Sequence, residues 1–150
     1  MHQTQLDEFM TGKNIWFDKS KKLMEVLLTW NVNSTQQINL IGLPEKTRGR
    51  HLQRYLENEA LPETDETSER LRHLLGIADA LRTSYPHSEL MSAVWLNTPH
   101  RRFKNQKPID VMIDQGIPGI ILVREHLDCA FDWRSDEKAR KNNRSEVTKR

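Results

Sequence analysis

Cysteine is nearly absent from this chain, since Cys129 is the only one among 150 residues. A single cysteine excludes an internal disulfide framework. No apolar run approaches the ~18 residues that a membrane-spanning helix needs. The first ten residues carry Asp7 and Glu8 where a secretory signal has its apolar segment. We therefore expect a cytoplasmic protein that does not contact membranes.

Patterns typical of enzymes and metal sites are also scarce. The six histidines are scattered without the paired spacing of a zinc site, and no glycine-rich phosphate-binding loop occurs. A small hydrolase with Cys129 as its nucleophile is the enzymatic alternative, but a lone cysteine more often packs on an apolar helix face. We expect no catalytic activity, no metal and no cofactor.

Helical spacing recurs along the chain, whereas no segment alternates apolar and polar residues as a strand does. Between Lys19 and Trp30 the apolar positions are helical, with Asp18 as the predicted N-cap. The longest helical pattern spans Leu71–Tyr85, with three arginines outside its apolar stripe: Arg70, Arg72 and Arg82. Glycine and proline mark helix ends at Gly42, Pro44, Pro86, Pro99 and Gly116, while Pro108 suits a first helical turn. The prediction is an all-α fold with the helix near Leu71–Tyr85 at its centre.

The length suits one medium domain or two small ones that share a core. We expect a helix-turn-helix-like unit in residues 1–62 and a second helical unit in residues 63–133. Residues 134–150 hold seven Lys/Arg, three Asp/Glu and only two apolar residues. So few apolar side chains cannot offset the entropy of ordering, which predicts a disordered basic tail.

Residues 34–56 fit a helix-turn-helix pattern, with Ser34 as N-cap and Gly42 in the turn. The basic second helix offers six side chains to phosphates and base edges: Lys46, Thr47, Arg48, Arg50, His51 and Arg54. A basic helix face that is merely solvated fits the same residues. Arg48 also falls where such units usually pack an apolar residue, and Gly49 weakens the helix by ~1 kcal/mol relative to Ala. DNA binding and a solvated face both stay open.

Five short motifs between Leu71 and Trp133 follow one another in an informative order. They are Gly76–Arg82, Trp95 with Pro99, Pro108–Asp110, Gly116, and Arg124 with Leu127. Together they resemble the toxin-binding C-terminal domain of the Xre/MbcA/ParS antitoxin family. Lys107 departs from the family's capping residue, and Asn105 stands near its usual glycine, where asparagine tolerates the left-handed conformation.

The resemblance implies a non-catalytic antitoxin that neutralises a cognate toxin of the RES type, which destroys NAD. It further implies a homodimer formed through the N-terminal half and repression of the chain's own operon through operator DNA. Residues 63–133 would bind the toxin, with four structural anchors: Trp95, Pro99, Pro108 and Gly116. The expected toxin contacts are Arg101, Arg102, Lys104, Arg124, Asp128, Asp132 and Trp133. A stand-alone helix-turn-helix transcription regulator without a toxin is the alternative.

The charges of the last helix suggest how a toxin is silenced. A pocket for NAD must hold two phosphates and is therefore expected to be basic. Asp128 and Asp132 are four residues apart and share one helix face, which suits such a pocket better than the basic loop Arg101–Lys107 does. Two local interpretations remain open: Asp128 pairs with Arg124, and Trp95 serves only as a core anchor.

Overall fold

The computed structural model describes residues 2–129, with side chains from Asn14 onward. The helices are α1 (His2–Thr29), α2 (Ser34–Ile41), α3 (Gly49–Glu57), α4 (Asp65–Ser84), α5 (Glu89–Leu96), α6 (Pro108–Gln115) and α7 (residues 117–129), with a 3-10 turn at Arg101–Phe103. Within residues 2–129 the only β-type pairing is an isolated bridge between His100 and Gln106. The predicted all-α fold is confirmed. The basic tail, residues 134–150, lies outside the described residues.

α2 begins with a reciprocal capping box. Asn33 is its N-cap: the Asn33 Oδ1 accepts from the Gln36 N–H at 2.8 Å, and the Gln36 Oε1 accepts from the Asn33 N–H at 2.9 Å. The prediction of Ser34 as N-cap is therefore wrong, because the box at Asn33 satisfies two backbone N–H groups at once. The predicted stop at Gly42 is confirmed, since Gly42 has φ +82° and its N–H donates to the Ile38 carbonyl.

α1 starts far before the predicted Lys19, so Asp18 lies inside the helix and is not its N-cap. The buried face of α1 continues in the N-terminal direction through a small polar residue. Successive buried residues are alternately four and three positions apart, which keeps them on one side of the helix. They are Trp16, Ser20, Leu23 and Leu27, followed by Trp30 directly after the helix.

Two polar groups on this face of α1 fix the connection between α3 and α4. The indole Nε1 of Trp16 donates to the Leu61 carbonyl at 2.8 Å. The Leu61 N–H donates to the Ser20 hydroxyl at 3.2 Å, and both bonds are buried. The backbone of Leu61 is thus fully satisfied by α1, which holds this otherwise irregular segment against the core.

α4 lies at the centre of one continuous hydrophobic cluster, as predicted, and contacts α1, α2 and α5. Its buried apolar positions are Leu71, Leu74, Ile77 and Leu81. α6 and α7 complete the cluster with Ile109, Val111, Met112, Ile120, Val123 and Leu127. The two predicted units, residues 1–62 and 63–133, therefore share one core in the described part of the chain.

Arg70 joins α4 to the end of α2. One guanidinium nitrogen donates to the carbonyls of Asn39 and Leu40 at 3.0 and 3.3 Å, and Glu66 accepts from the same side chain at 3.1 Å. A cation is favourable there, because the last carbonyls of a helix carry partial negative charge. Arg70 lies outside the buried apolar stripe of α4, as predicted, but these contacts leave its side chain only 12% exposed.

The junction between α6 and α7 is tight. Gly116 ends α6, as predicted, with φ +68°. A Cβ atom at Gly119 would lie 2.3 Å from the Val111 carbonyl oxygen. α7 therefore approaches the backbone of α6 at a distance that only glycine permits.

Candidate functional site

The loop between α5 and α6 is closed by its own backbone hydrogen bonds. The His100 N–H donates to the Gln106 carbonyl at 3.2 Å, and the Asn105 N–H donates to the His100 carbonyl at 3.0 Å. Asn105 and Lys104 adopt the left-handed conformation, with φ +64° and +55°, which agrees with the expectation for Asn105. The folded loop exposes four basic side chains: Arg101, Arg102, Lys104 and Lys107.

A cluster of four rings holds this loop between α5 and α7. Trp95 stacks on His126, with ring centroids 6.1 Å apart and 12° between the planes. The His100 ring lies 4.9 Å from that of Trp95, and its Nε2 lies 3.0 Å from the Trp95 carbonyl oxygen. Phe103 is buried and meets His126 edge-on at 5.2 Å. Aromatic pairs of this kind contribute ~0.5–1.5 kcal/mol each beyond their buried area.

The predicted anchors occupy different environments. Trp95 is half-buried within the ring cluster, and Pro108 is buried at the first position of α6, whereas Pro99 is exposed. Phe103 was not among the predicted anchors, although it is the only apolar residue between Pro99 and Pro108. Its burial could have been predicted, because the single apolar side chain of a basic loop is the one that favours the core.

The surroundings of His126 favour its neutral form. Burial lowers the pKa of His126 below 6.5, and the nearby Arg102 and His100 lower it further. An uncharged ring loses less hydration when it stacks on Trp95. At neutral pH the link between the loop and α7 therefore rests on a neutral His126.

Arg124 links α7 to α4. Its guanidinium Nη1 lies 3.0 Å from His73 Nδ1, which therefore accepts as an unprotonated nitrogen. Burial lowers the pKa of His73, and the positive charges of Arg72 and Arg124 act in the same direction. Gly76 leaves room for this contact, since a Cβ atom there would lie 2.6 Å from Arg124 Cζ.

Asp128 lies one turn after Arg124, and the closest atoms of the two side chains are 3.9 Å apart. This pair is long, and Asp128 remains 61% exposed. Surface pairs of this type contribute at most ~1 kcal/mol, so the pairing leaves the Asp128 carboxylate accessible. Asp132 and Trp133, the remaining predicted toxin contacts, lie outside the described residues.

The predicted DNA-binding side chains extend from the connection before α3 to its last turn, where Arg54 lies. Lys46 and Thr47 precede the helix, and Arg48 is its N-cap, with its N–H donating to His51 Nδ1 at 3.4 Å. Thr47 is half-buried and the other five side chains are exposed. Seven residues, 42–48, connect α2 to α3, compared with the 3–4-residue turn of a helix-turn-helix. The helix-turn-helix itself is thus not confirmed, although a basic surface is present.

Other kinds of site find little support in residues 2–129. No three His, Cys, Asp or Glu side chains there group as a metal site would require, and no helix there has the length and apolar character to cross a membrane. Cys129 is exposed, against the expectation of an apolar helix face. A cleft of about 530 Å³ between α1 and the α4–α5 turn has mixed charges, including Lys22, Glu25, Arg82 and Glu89.

The geometry of α5, the basic loop and α7 can be compared with known proteins. Comparisons with curated proteins and with solved structures found no match. A family model does match at residues 80–129, which contain α5, the loop, α6 and α7. The match supports an antitoxin role in which this part of the chain binds a toxin. The matching model is that of the antitoxin Xre/MbcA/ParS C-terminal toxin-binding domain, which the sequence motifs resembled.

Proposed function

We propose that this chain neutralises a RES-type, NAD-degrading toxin by binding it through the exposed surface of residues 80–129. The observation that carries the proposal is the family match, which coincides with a surface built from α5, the basic loop and α7. The chain supplies no catalysis and no cofactor in this proposal. Its role is to occupy the toxin's site.

The charges of this surface suggest that its acidic and basic parts contact different regions of the toxin. A toxin pocket that accepts NAD needs cationic groups for two phosphates. The accessible carboxylate of Asp128, together with Asp132 further along the chain, matches such a pocket. Arg101, Arg102 and Lys104 project from the neighbouring loop and match an acidic rim.

Co-expression with the product of the adjacent reading frame tests this function. A RES-type product should arrest growth alone and be tolerated together with this chain. The double substitution Asp128→Lys and Asp132→Lys should restore the arrest while leaving the helical spectrum unchanged. Glu45→Lys with Glu63→Lys makes the same charge change at two exposed acids outside residues 80–129 and should still neutralise. Equal rescue by both double variants would assign recognition to another surface.

Operator binding is the second part of the proposal. Five exposed basic side chains at α3 support it: Lys46, Arg48, Arg50, His51 and Arg54. In this scheme a homodimer formed through the N-terminal half represses its own operon. Without a toxin partner, the same surface would belong to a stand-alone regulator, so growth rescue separates the two functions.

A further inference from the structure

Helix α5 leaves large apolar side chains in solvent. Leu90 is 72% exposed, Met91 43% and Val94 45%. They make up half of the large apolar side chains that are well exposed among the described residues; the others, Ile15, Leu28 and Leu122, lie on α1 and α7. Scattered exposed apolar residues are ordinary, whereas a contiguous group marks a binding surface.

The three side chains form one strip along the helix. Leu90 and Val94 are one turn apart, and Met91 lies beside them on the outward face. The opposite side of α5 is packed, with Ser92, Ala93 and Leu96 buried. Glu89, in the first turn, is the only charged residue of the helix, so the strip lacks the charges that a solvated helix face normally carries.

The strip continues directly into the basic loop. Exposed Thr98 and Pro99 follow α5, and then come the exposed Arg101 and Arg102. No Asp or Glu occurs from Leu90 to Ile109, although the chain contains 21 acidic residues. The surface is therefore an apolar strip whose edge toward the loop is cationic.

We propose that Leu90, Met91 and Val94 are the apolar centre of the toxin-docking surface and insert into an apolar groove whose rim carries carboxylates. This inference rests on the proposed function. An amphipathic helix that docks in a groove uses side chains at this spacing, and buried apolar anchors within a polar rim dominate binding energy. Asp128 then acts at the toxin's pocket while α5 supplies affinity.

A second copy of the chain is the competing occupant, and charge disfavours it. A two-fold interface places the same patch on both sides, so Arg101 and Arg102 would enter it twice without a carboxylate in the loop to pair with. Three side chains also fall short of the ~20–30 residues on each side of a standard interface. Stable binding through the strip therefore needs further contacts around it. The basic loop can make such contacts only with an acidic partner.

The test compares the double substitution Leu90→Asp and Val94→Asp with a matched control. The control is the pair Ile15→Asp and Leu28→Asp, since Ile15 and Leu28 are 50% and 56% exposed on α1 and lie outside the matched segment. Full-length proteins are purified and their affinity for the adjacent reading frame's product is measured by biolayer interferometry at fixed salt. The strip variant should bind about 100-fold more weakly, as expected when two interface anchors are lost, and the control should change less than about threefold. A milder pair, Leu90→Ser and Val94→Thr, serves as a second variant in case the aspartates disturb folding. It should also weaken binding.

Light scattering of the free chain completes the experiment. The oligomeric state should be the same in wild type and strip variants. Loss of self-association with unchanged toxin affinity would make the strip a self-interface and overturn the inference. Unchanged affinity and unchanged size would overturn it as well. Failure of the wild-type chain to bind the product would instead overturn the proposed function itself.

Discussion

The guanidinium of Arg124 occupies the space that a Cβ atom at Gly76 would need. Such an atom would lie 2.6 Å from Arg124 Cζ and 2.7 Å from its Nε. From this position Arg124 reaches His73 Nδ1 at 3.0 Å. Two motifs that are 48 positions apart in the sequence therefore meet at one glycine, and α7 is oriented on α4 by that contact.

Replacement of this glycine should move Arg124 without unfolding the chain. Gly76→Ala gains up to ~1 kcal/mol of helix propensity, which offsets the ~0.5–1.5 kcal/mol lost with the hydrogen bond to His73. The free energy of unfolding should thus change by less than ~1 kcal/mol. Because Arg124 lowers the pKa of His73, an NMR titration should show that this pKa rises in the variant. An unchanged pKa would mean that Arg124 stays in place.

Gly119→Ala is the contrasting substitution. Its Cβ would meet the backbone oxygen of Val111 at 2.3 Å, and a backbone atom cannot swing aside as an arginine tip does. α6 and α7 must separate, so we expect a loss of about 1–3 kcal/mol in denaturant unfolding. A loss no larger than that of Gly76→Ala would contradict this packing.

The stability of the fold should fall in mild acid. The pKa values of His73 and His126 are lowered in the fold, mainly by burial, so the unfolded chain binds more protons just below pH 6.5. The contribution of these two histidines to the free energy of unfolding should therefore be fully present above about pH 7. It should be lost as the pH falls below 6.5 toward the folded-state pKa values. Chemical denaturation between pH 5 and 8 measures this slope.

Paired variants identify the groups responsible. His126→Phe keeps a ring against Trp95, and His73→Gln keeps an acceptor for Arg124, but neither new side chain titrates. The double variant should lose part of the decrease in stability below pH 6.5. A slope identical to that of the wild type would assign the effect to other groups.

Arg70 should stabilise the fold more than an exposed arginine does. Arg70→Met keeps an aliphatic stem but removes the hydrogen bonds to the carbonyls of Asn39 and Leu40, and we expect a loss of about 1–3 kcal/mol. Arg82→Met is the control, since Arg82 is 64% exposed and pairs only with exposed Asp79 among the described residues, and it should change stability by less than ~0.5 kcal/mol. Thermal unfolding at pH 7 compares the two; equal losses would contradict a structural role for Arg70.

Operator binding by the α3 region predicts a salt signature. If Arg48, Arg50 and Arg54 contact phosphates, each alanine substitution should reduce the slope of log affinity against log salt by about one. Titration of the upstream DNA at several salt concentrations measures it. A triple-alanine variant with unchanged affinity and slope would rule out this surface as the DNA contact.

Local signals in the sequence were sufficient for the helix boundaries marked by glycine and proline. Gly42 and Gly116 end helices with positive φ, and Pro108 starts one, because backbone conformation at glycine and proline depends little on distant residues. The start of α1 was not predictable in this way. Polar Ser20 interrupts the apolar pattern, and its burial depends on a hydrogen bond with Leu61, 41 residues away.

The candidate site likewise combines features that follow from local sequence with features that depend on distant residues. Its motifs were recognisable, and the exposure of Arg101, Arg102 and Lys104 follows from their charge. The ring cluster was not predictable, since Trp95 and His126 are 31 positions apart and meet only when α7 folds back on α5. The exposure of Leu90 was not predictable for a related reason. α5 is apolar on both faces, so the periodicity of its sequence does not indicate which face is packed.

NAD consumption by the purified product of the adjacent reading frame, titrated with this chain, is the most direct measurement. If residues 80–129 bind and block a RES-type toxin, NAD loss should stop as the chain approaches a fixed stoichiometric ratio, and Asp128→Lys with Asp132→Lys should shift or abolish that endpoint. NAD consumption that continues unchanged in excess wild-type chain would contradict the account.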